Sequence, residues 1–247
     1  MGILHCSDLG VKPLFATGIK DVNATNLEGS LGQPRITGDG RRFRWVKCDT
    51  AITAGQVVAA TALIAASTVT TAATTTSLDV FTTVSTTVAY GPGDFIYITT
   101  GTGYGQMAEI DHVPAATQIK LATALTTALT TNSEVAIWRP FVVKPTITTG
   151  SLTINPIGVA QVAVATTTPY FWMQTHGPGI ALLDCSEETP LVNAPIVCST
   201  ALAGAVCGIE PGVSTTQGQI NEVTRIVGRV TWDAGYDTTV PVLLTIE

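Results

Sequence analysis

Charged side chains are scarce in this sequence. Only 12% of the 247 residues are Asp, Glu, Lys or Arg, about half of the roughly 25% that is usual in globular proteins. Apolar residues make up 45% of the chain. A freely diffusing monomer normally keeps many mixed charges on its surface for solubility. So few charges indicate a protein whose faces stay covered by neighbours in a permanent assembly.

A long apolar run is also missing. The longest lies within a predicted strand at 56–66 and already contains Thr61, whereas a membrane-spanning helix needs about 20 apolar residues. The start of the chain lacks the basic residues and apolar stretch of a signal peptide. Cys6 stands where a myristoylation signal has Ser or Thr. We therefore expect no membrane association and synthesis in a reducing cytoplasm.

Cysteines with ligand-like spacing are absent. The chain has five cysteines, an odd number, and no C-x-x-C pair. This pattern does not indicate a disulfide framework, and we expect buried free thiols that pack as small apolar residues. Histidines, cysteines and carboxylates are not clustered in the way that metal sites require. The sequence therefore predicts neither a metal nor a cofactor.

Catalytic motifs are equally scarce. Asp111 next to His112, and His176 near Cys185, are the pairs that most resemble acid–base or nucleophilic sets, but neither accompanies a nucleophile motif. The acidic run 184–188 lacks the regular oxygen ligands of a calcium loop. A glycan-cleaving enzyme needs paired carboxylates in a groove, and the carboxylates here are scattered through turns. We predict no enzymatic activity and no catalytic residues.

The chain contains many short β-prone segments between turns. Residues 41–47 alternate, which places Phe43 and Trp45 on one face and Arg42 and Arg44 on the other. Turn residues recur throughout, and no long amphipathic helix separates the segments. The sequence therefore predicts an all-β protein. Its predicted parts are an extended N-terminal arm (1–40), a main β-sandwich or barrel-like domain (41–67 plus 141–247) and an inserted small β domain (68–140).

A glycine-rich loop at 101–105 resembles a phosphate-binding loop. Such a loop must lead into a helix whose N-terminus holds the phosphate. The residues that follow, 106–110, have the pattern of a strand. The glycines therefore predict a β-hairpin.

The stretch 170–183 is the most prominent segment of the predicted sheet. It begins with adjacent aromatic residues and ends in small aliphatic ones, with Gly177, Pro178 and Gly179 between them. Because Gly and Pro punctuate local structure, we interpret it as two strands joined by a turn. Three adjacent aromatics require both faces of the first strand to be covered, either by the core or by a neighbouring subunit.

The N-terminal arm is basic on an otherwise acidic chain. Residues 1–47 have seven basic and four acidic side chains, a net charge of +3, and the rest has five and 14, a net charge of −9. This asymmetry favours an acidic protein surface as partner and is too weak to predict nucleic-acid binding. The arm's spaced apolar residues predict that it becomes ordered only on a partner. The predicted contact residues are Leu9, Leu14, Phe15, Ile19, Arg41, Arg42, Arg44, Trp45, Phe171 and Trp172.

Several segments carry a family resemblance. They are 40–47 followed by 51–57, 93–98 with 103–110, 125–133 before Trp138, 155–160 leading to 170–178, and 226–229 through 240–246. Together they are similar to the β-rich capsid decoration (cement or head-stabilising) proteins of tailed bacteriophages. The resemblance implies a structural protein on the exterior of the virion, a homotrimer that binds the major capsid protein and stabilises the capsid against internal DNA pressure.

Other roles in a virion are open at this point. A tail or head-fibre component is the main alternative and would form a trimeric rod. A glycan-binding or glycan-cleaving virion protein is less favoured. A major capsid protein is disfavoured because no segment predicts its long spine helix.

Overall fold

The computed structural model describes residues 15–61, 64–71, 79–82, 90–115, 118–146, 156–184, 190–199, 201–208, 226–231 and 239–246. Throughout these ranges the regular elements are β-strands, and they contain no helix able to cross a bilayer. The all-β prediction is confirmed. The strands are β1 (Val22–Asn23), β2 (Pro34–Ile36), β3 (Arg42–Cys48), β4 (Val57–Ala60), β5 (Ile64–Thr71), β6 (Asp79–Thr82), β7 (Phe95–Thr100), β8 (Met107–Ala115), β9 (Gln118–Leu121), β10 (Glu134–Trp138), β11 (Val142–Pro145), β12 (Pro156–Ala160), β13 (Tyr170–Leu182), β14 (Pro195–Cys198), β15 (Val206–Gly208), β16 (Ile226–Val230) and β17 (Thr239–Thr245).

Eleven strands form the main sheet. Its order is β15-β14-β16-β17-β13-β12-β4-β11-β3-β2, and β1 pairs with β13. β13 also pairs with β3, so β13, β12, β4, β11 and β3 form a closed ring of pairings. β17, β16, β14 and β15 continue from β13 as a second group of paired strands, which we call the open sheet, and Val206 of β15 makes a single parallel bridge back to Leu183. The ring encloses one apolar core, which includes Val46, Val58, Val143, Phe171 and Met173.

The other six strands form a closed barrel in the order β10-β5-β6-β9-β8-β7. They span Ile64 to Trp138. The inserted domain was predicted at 68–140. The single strand predicted at 56–66 is wrong, because the chain leaves the main sheet after Ala60 and joins the barrel at Ile64. Inward-facing Ile, Val and Leu side chains such as Ile96, Ile98 and Ile137 fill the barrel.

Two local predictions are confirmed. β3 buries Phe43 and Trp45 and exposes Arg42 and Arg44, as its alternation requires. Residues 101–105 join the antiparallel strands β7 and β8, and three of their glycines have φ values of 77°, 86° and 82°. A side chain at such φ values is sterically disfavoured, so these glycines form the hairpin.

The predicted turn at Gly177-Pro178-Gly179 is wrong. β13 runs through it as one 13-residue strand. Gly177 has a φ of 90°, and the buried Gln174 amide Nε2 donates to the carbonyls of His176 (3.0 Å) and Pro178 (2.9 Å). These contacts satisfy the backbone of a bend without reversing the chain. Before the bend β13 pairs with β3, and after the bend it pairs with β17. The aromatic half of β13 therefore belongs to the ring, and its aliphatic half belongs to the open sheet.

The described part of the N-terminal arm, residues 15–40, lies on the chain's own sheet. The Trp172 indole Nε1 donates to Thr17 Oγ1 (2.8 Å), and Trp45 Nε1 donates to Asn26 Oδ1 (2.7 Å). The Arg35 guanidinium lies 5.4 Å from the centre of the Trp172 ring. For these residues the prediction that the arm orders only on a partner is wrong, because buried indole N–H groups need acceptors and the arm provides them. Residues 1–14 lie outside the described ranges.

Candidate protein-docking surface

The apolar members of the predicted contact set are largely covered by the chain itself. Trp45, Phe171 and Trp172 are fully buried. Phe15 and Ile19 are partly buried and pack on the cluster formed by Phe43, Trp45 and Trp172. These side chains hold the arm on the sheet, so we do not assign them to a contact surface. Leu9 and Leu14 lie outside the described residues.

The three predicted arginines lie at the start of β3 and directly before it. Arg41 Nε lies 2.8 Å from Asp39 Oδ2, and Arg44 Nη1 donates to the Gly32 carbonyl at 3.1 Å. Arg42 and Arg44 line a groove of about 660 Å³. The structure therefore brings Arg42 and Arg44 together at the groove, while Arg41 lies beside Gly177 at the bend of β13. The groove has an apolar floor that includes Phe141, Ile157 and Met173.

A larger apolar surface, which we did not predict, covers the outer side of the open sheet. Cross-strand pairing places Leu243 beside Pro178 and Arg229, and Ile180 beside Pro241. Since side chains alternate along a strand, these residues face outward while their neighbours Ala181, Val242 and Leu244 fill the core. We call the outward set, with Pro195 opposite Arg229 and Leu191 and Val192 in the adjoining loop, the outer face.

The outer face is exposed and nearly uncharged. Ile180 is 37% exposed, Leu243 41% and Leu191 77%. Among its described residues the single charged side chain is Arg229, whose Nη1 contacts the Asn193 carbonyl at 3.5 Å. Apolar surface gathered on one side of a sheet is typical of sites where another protein binds.

The contact must be made by the face of the sheet rather than by adding a strand. β17 is paired on both sides, with β13 and β16, and β16 is paired on both sides, with β17 and β14, so neither strand has an edge to offer to a new strand. Gln161 bonds both peptide groups of Ile180, as acceptor from its N–H (3.0 Å) and as donor to its carbonyl (3.1 Å). Such devices block edge-to-edge association. A partner therefore lies across the outward side chains.

A sequence signal for this surface was present. In residues 239–245 the inward Val240, Val242 and Leu244 satisfy the core, and Pro241 and Leu243 between them are also apolar. A strand with only one face on the core places polar residues at those intervening positions. The signal is a strand near the end of the sequence in which both the inward and the outward positions carry apolar residues.

Titratable groups do not gather into a metal-like cluster in the described ranges. His112 Nδ1 lies 2.7 Å from Asp111 Oδ2 on the exposed side of β8, and Cys185 falls outside the described residues. Cys48, Cys198 and Cys207 are buried, as predicted for these three thiols, and burial raises the pKa of Cys48.

A buried ion pair lies where the barrel meets the main sheet. Arg139 Nε is 3.5 Å from Asp94 Oδ2, and both side chains are almost fully buried. Asp94 Oδ2 also accepts from the Gly91 N–H at 3.0 Å. Burial is the largest influence on Asp94 and raises the pKa of its carboxyl, against the opposing effects of Gly91 and Arg139.

Fold and surface together define an all-β protein with a large mixed sheet, a small closed barrel and an exposed apolar sheet face. Comparison with models of protein families, with curated proteins and with solved structures finds no match.

Proposed function

We propose that this chain is a structural virion protein that binds the outside of a bacteriophage capsid and stabilises it as a decoration or cement protein. The observation that supports the proposal most is the outer face. It offers Pro178, Ile180, Pro241 and Leu243 to a partner, and the one charged side chain among the described residues of this face is Arg229. The complementary partner is an apolar, uncharged surface, and we assign it to the major capsid protein.

A protein in such a role stabilises the capsid through the summed burial of apolar surface at its interface and catalyses no reaction. Fully burying a Leu or Ile side chain contributes about 1.5–3 kcal/mol. Since Ile180 and Leu243 are already more than half buried, completing their burial contributes roughly 1 kcal/mol each. A specific interface usually buries about 1,200–2,000 Å² in total. A protein that binds only the assembled shell stabilises it by mass action, and the effect is repeated at every bound copy.

A co-sedimentation experiment tests this assignment. Purified chain is mixed with undecorated capsids built from the major capsid protein of the encoding phage. We expect saturable binding by the wild type and a loss of at least roughly tenfold in affinity for Leu243→Lys, because a buried unpaired charge is costly. Met107→Lys is the matched control, since Met107 is 52% exposed on the barrel and outside the outer face.

The outcomes separate the proposal from its alternatives. Equal binding by wild type and Leu243→Lys, or weaker binding by Met107→Lys alone, contradicts the assignment of the outer face. Failure of the wild type to bind capsids contradicts the decoration role. Light scattering then distinguishes the predicted homotrimer from other states, and a trimeric rod without capsid affinity supports a tail or head-fibre component.

A further inference from the structure

Two of the loops that the structure describes lie at one end of the barrel. Residues 101–106 connect β7 to β8, and residues 122–133 connect β9 to β10. The Ser133 hydroxyl donates to the Thr102 carbonyl at 2.7 Å, so the two loops lie side by side. We call these two loops the barrel tip.

Side-chain and backbone contacts fix the barrel tip. Gln106 Oε1 accepts from the Thr126 hydroxyl (2.7 Å) and from the Thr127 N–H (3.0 Å), and its Nε2 donates to the Gly103 carbonyl (3.2 Å). A Cβ at Gly101 would lie 2.3 Å from the Asn132 carbonyl oxygen, which shows how closely the loops approach. Binding sites are often loops held by a rigid scaffold, and the barrel tip has this construction.

Tyr104 is the exposed aromatic residue of the barrel tip. Its flanking residues Gly103 and Gly105 have positive φ values of 86° and 82°, and Tyr104 itself is 69% exposed. A single exposed aromatic needs no explanation in general. Here, however, the loop that carries it is held by its own Gln106, which bonds Thr126 and Thr127 of the other loop. The ring is therefore presented at little further cost in conformational entropy.

The surroundings of the ring are neutral and rich in hydroxyl groups. Neither loop contains a charged residue. The exposed threonines of the two loops are Thr102, Thr123, Thr126, Thr127 and Thr131. An aromatic face with a few polar groups around it is the usual composition of a site for a small organic group.

This chemistry selects among ligands. Nucleic acid also stacks on aromatic rings, but its phosphates require basic residues. The segment 64–139 has two basic and five acidic residues, a net charge of −3, which disfavours any polyanion. A neutral sugar ring has an apolar C–H face for the Tyr104 ring and a rim of hydroxyls for the threonines. We propose that the barrel tip binds a neutral saccharide, with Tyr104 stacked on the sugar ring.

Native gels that contain soluble polysaccharide test the proposal. The chain carries a formal charge of −6 and therefore migrates without help from a bound ligand. The probes are dextran, starch, hydroxyethyl cellulose and galactomannan, with heparin as the charged comparison. We expect at least one neutral probe to retard the wild type. Tyr104→Ala should weaken this retention several-fold, up to roughly tenfold, because it removes the stacked ring, and Tyr104→Phe should retain it.

Four outcomes overturn the proposal. They are no retardation by any of the four neutral probes, equal retardation of wild type and Tyr104→Ala, retardation by heparin alone, and unchanged sugar binding with a loss of capsid co-sedimentation in Tyr104→Ala. The last outcome would make the barrel tip a protein contact. Because Tyr104 lies on the barrel and not on the outer face, sugar binding and capsid binding succeed or fail separately.

Discussion

Removing one hydroxyl group should loosen the N-terminal arm from the sheet. Thr17 Oγ1 accepts the buried indole N–H of Trp172 at 2.8 Å and donates to Glu28 Oε1 at 2.5 Å. Thr17→Val keeps the shape of the side chain but leaves the indole N–H without its acceptor. Glu28 retains the Thr17 N–H at 2.8 Å and the Ala16 N–H at 3.2 Å, so the loss at its carboxylate is small.

The loss of folding stability in Thr17→Val is therefore dominated by one buried donor without an acceptor, the indole N–H of Trp172. Leaving such a group unpaired costs about 1–3 kcal/mol, and we expect Thr17→Val to lower the free energy of unfolding by that amount. Thr17→Ser keeps the hydroxyl and should cost less than about 1 kcal/mol. The exposed Thr126, whose hydroxyl bonds Gln106 on the barrel, provides the matched control. Thr126→Val should stay within roughly 0.5 kcal/mol of the wild type.

Urea unfolding followed by tryptophan fluorescence measures the difference, because Trp45 and Trp172 are fully buried beneath the arm. Limited proteolysis adds a local measurement, since cleavage within residues 15–40 should become faster in Thr17→Val if the arm opens more often. An unfolding free energy for Thr17→Val within 0.5 kcal/mol of the wild type, with unchanged proteolysis, would refute the view that this hydroxyl holds the arm in place.

Two further substitutions test the interior. Burial raises the pKa of Asp94 above its usual 3.8, so the folded state binds the proton more tightly and stability from this group increases as the pH falls from the raised pKa towards 3.8. Urea midpoints between pH 7 and pH 4 should therefore show that Asp94→Asn removes this increase, and identical pH profiles would contradict the reasoning. Gly177→Ala should lower stability by about 1 kcal/mol or more, because φ is 90° and the new Cβ would lie 3.2 Å from Arg41 Cα. A thermal melt unchanged from the wild type would show that the bend in β13 relaxes easily.

The parts of the fold that follow from local pattern were predictable. Alternation in β3 fixed which side of the strand is buried, and the strand pattern after residues 101–105 identified a hairpin in place of a phosphate loop. Both depend on residues close together in sequence, where side-chain period and turn chemistry decide the outcome.

The errors arise where distant residues decide the outcome. Gly177 and Pro178 have the composition of a chain-reversing turn. The hydrogen bonds of the Gln174 amide and the change of partner strand instead make them a bend within one strand. The arm at 15–40 has spaced apolar residues that suit any groove, and the sequence does not reveal that Trp45 and Trp172 of the same chain supply it. The outer face was missed because the strand predicted at 240–246 was not examined for what covers its second side.

The connection between the barrel and the main sheet has a consequence for how the molecule can change. The chain leaves the sheet after β4 and returns to it at β11, two strands that are paired with each other, and the Thr61 N–H donates to the Val142 carbonyl at 2.8 Å. The two crossings are thus neighbours, and the main-sheet hydrogen bonds are complete on either side of them. A module attached in this way is interchangeable. A different domain, a shorter loop or a displayed peptide can replace residues 64–138, and the strands that carry the outer face keep their register.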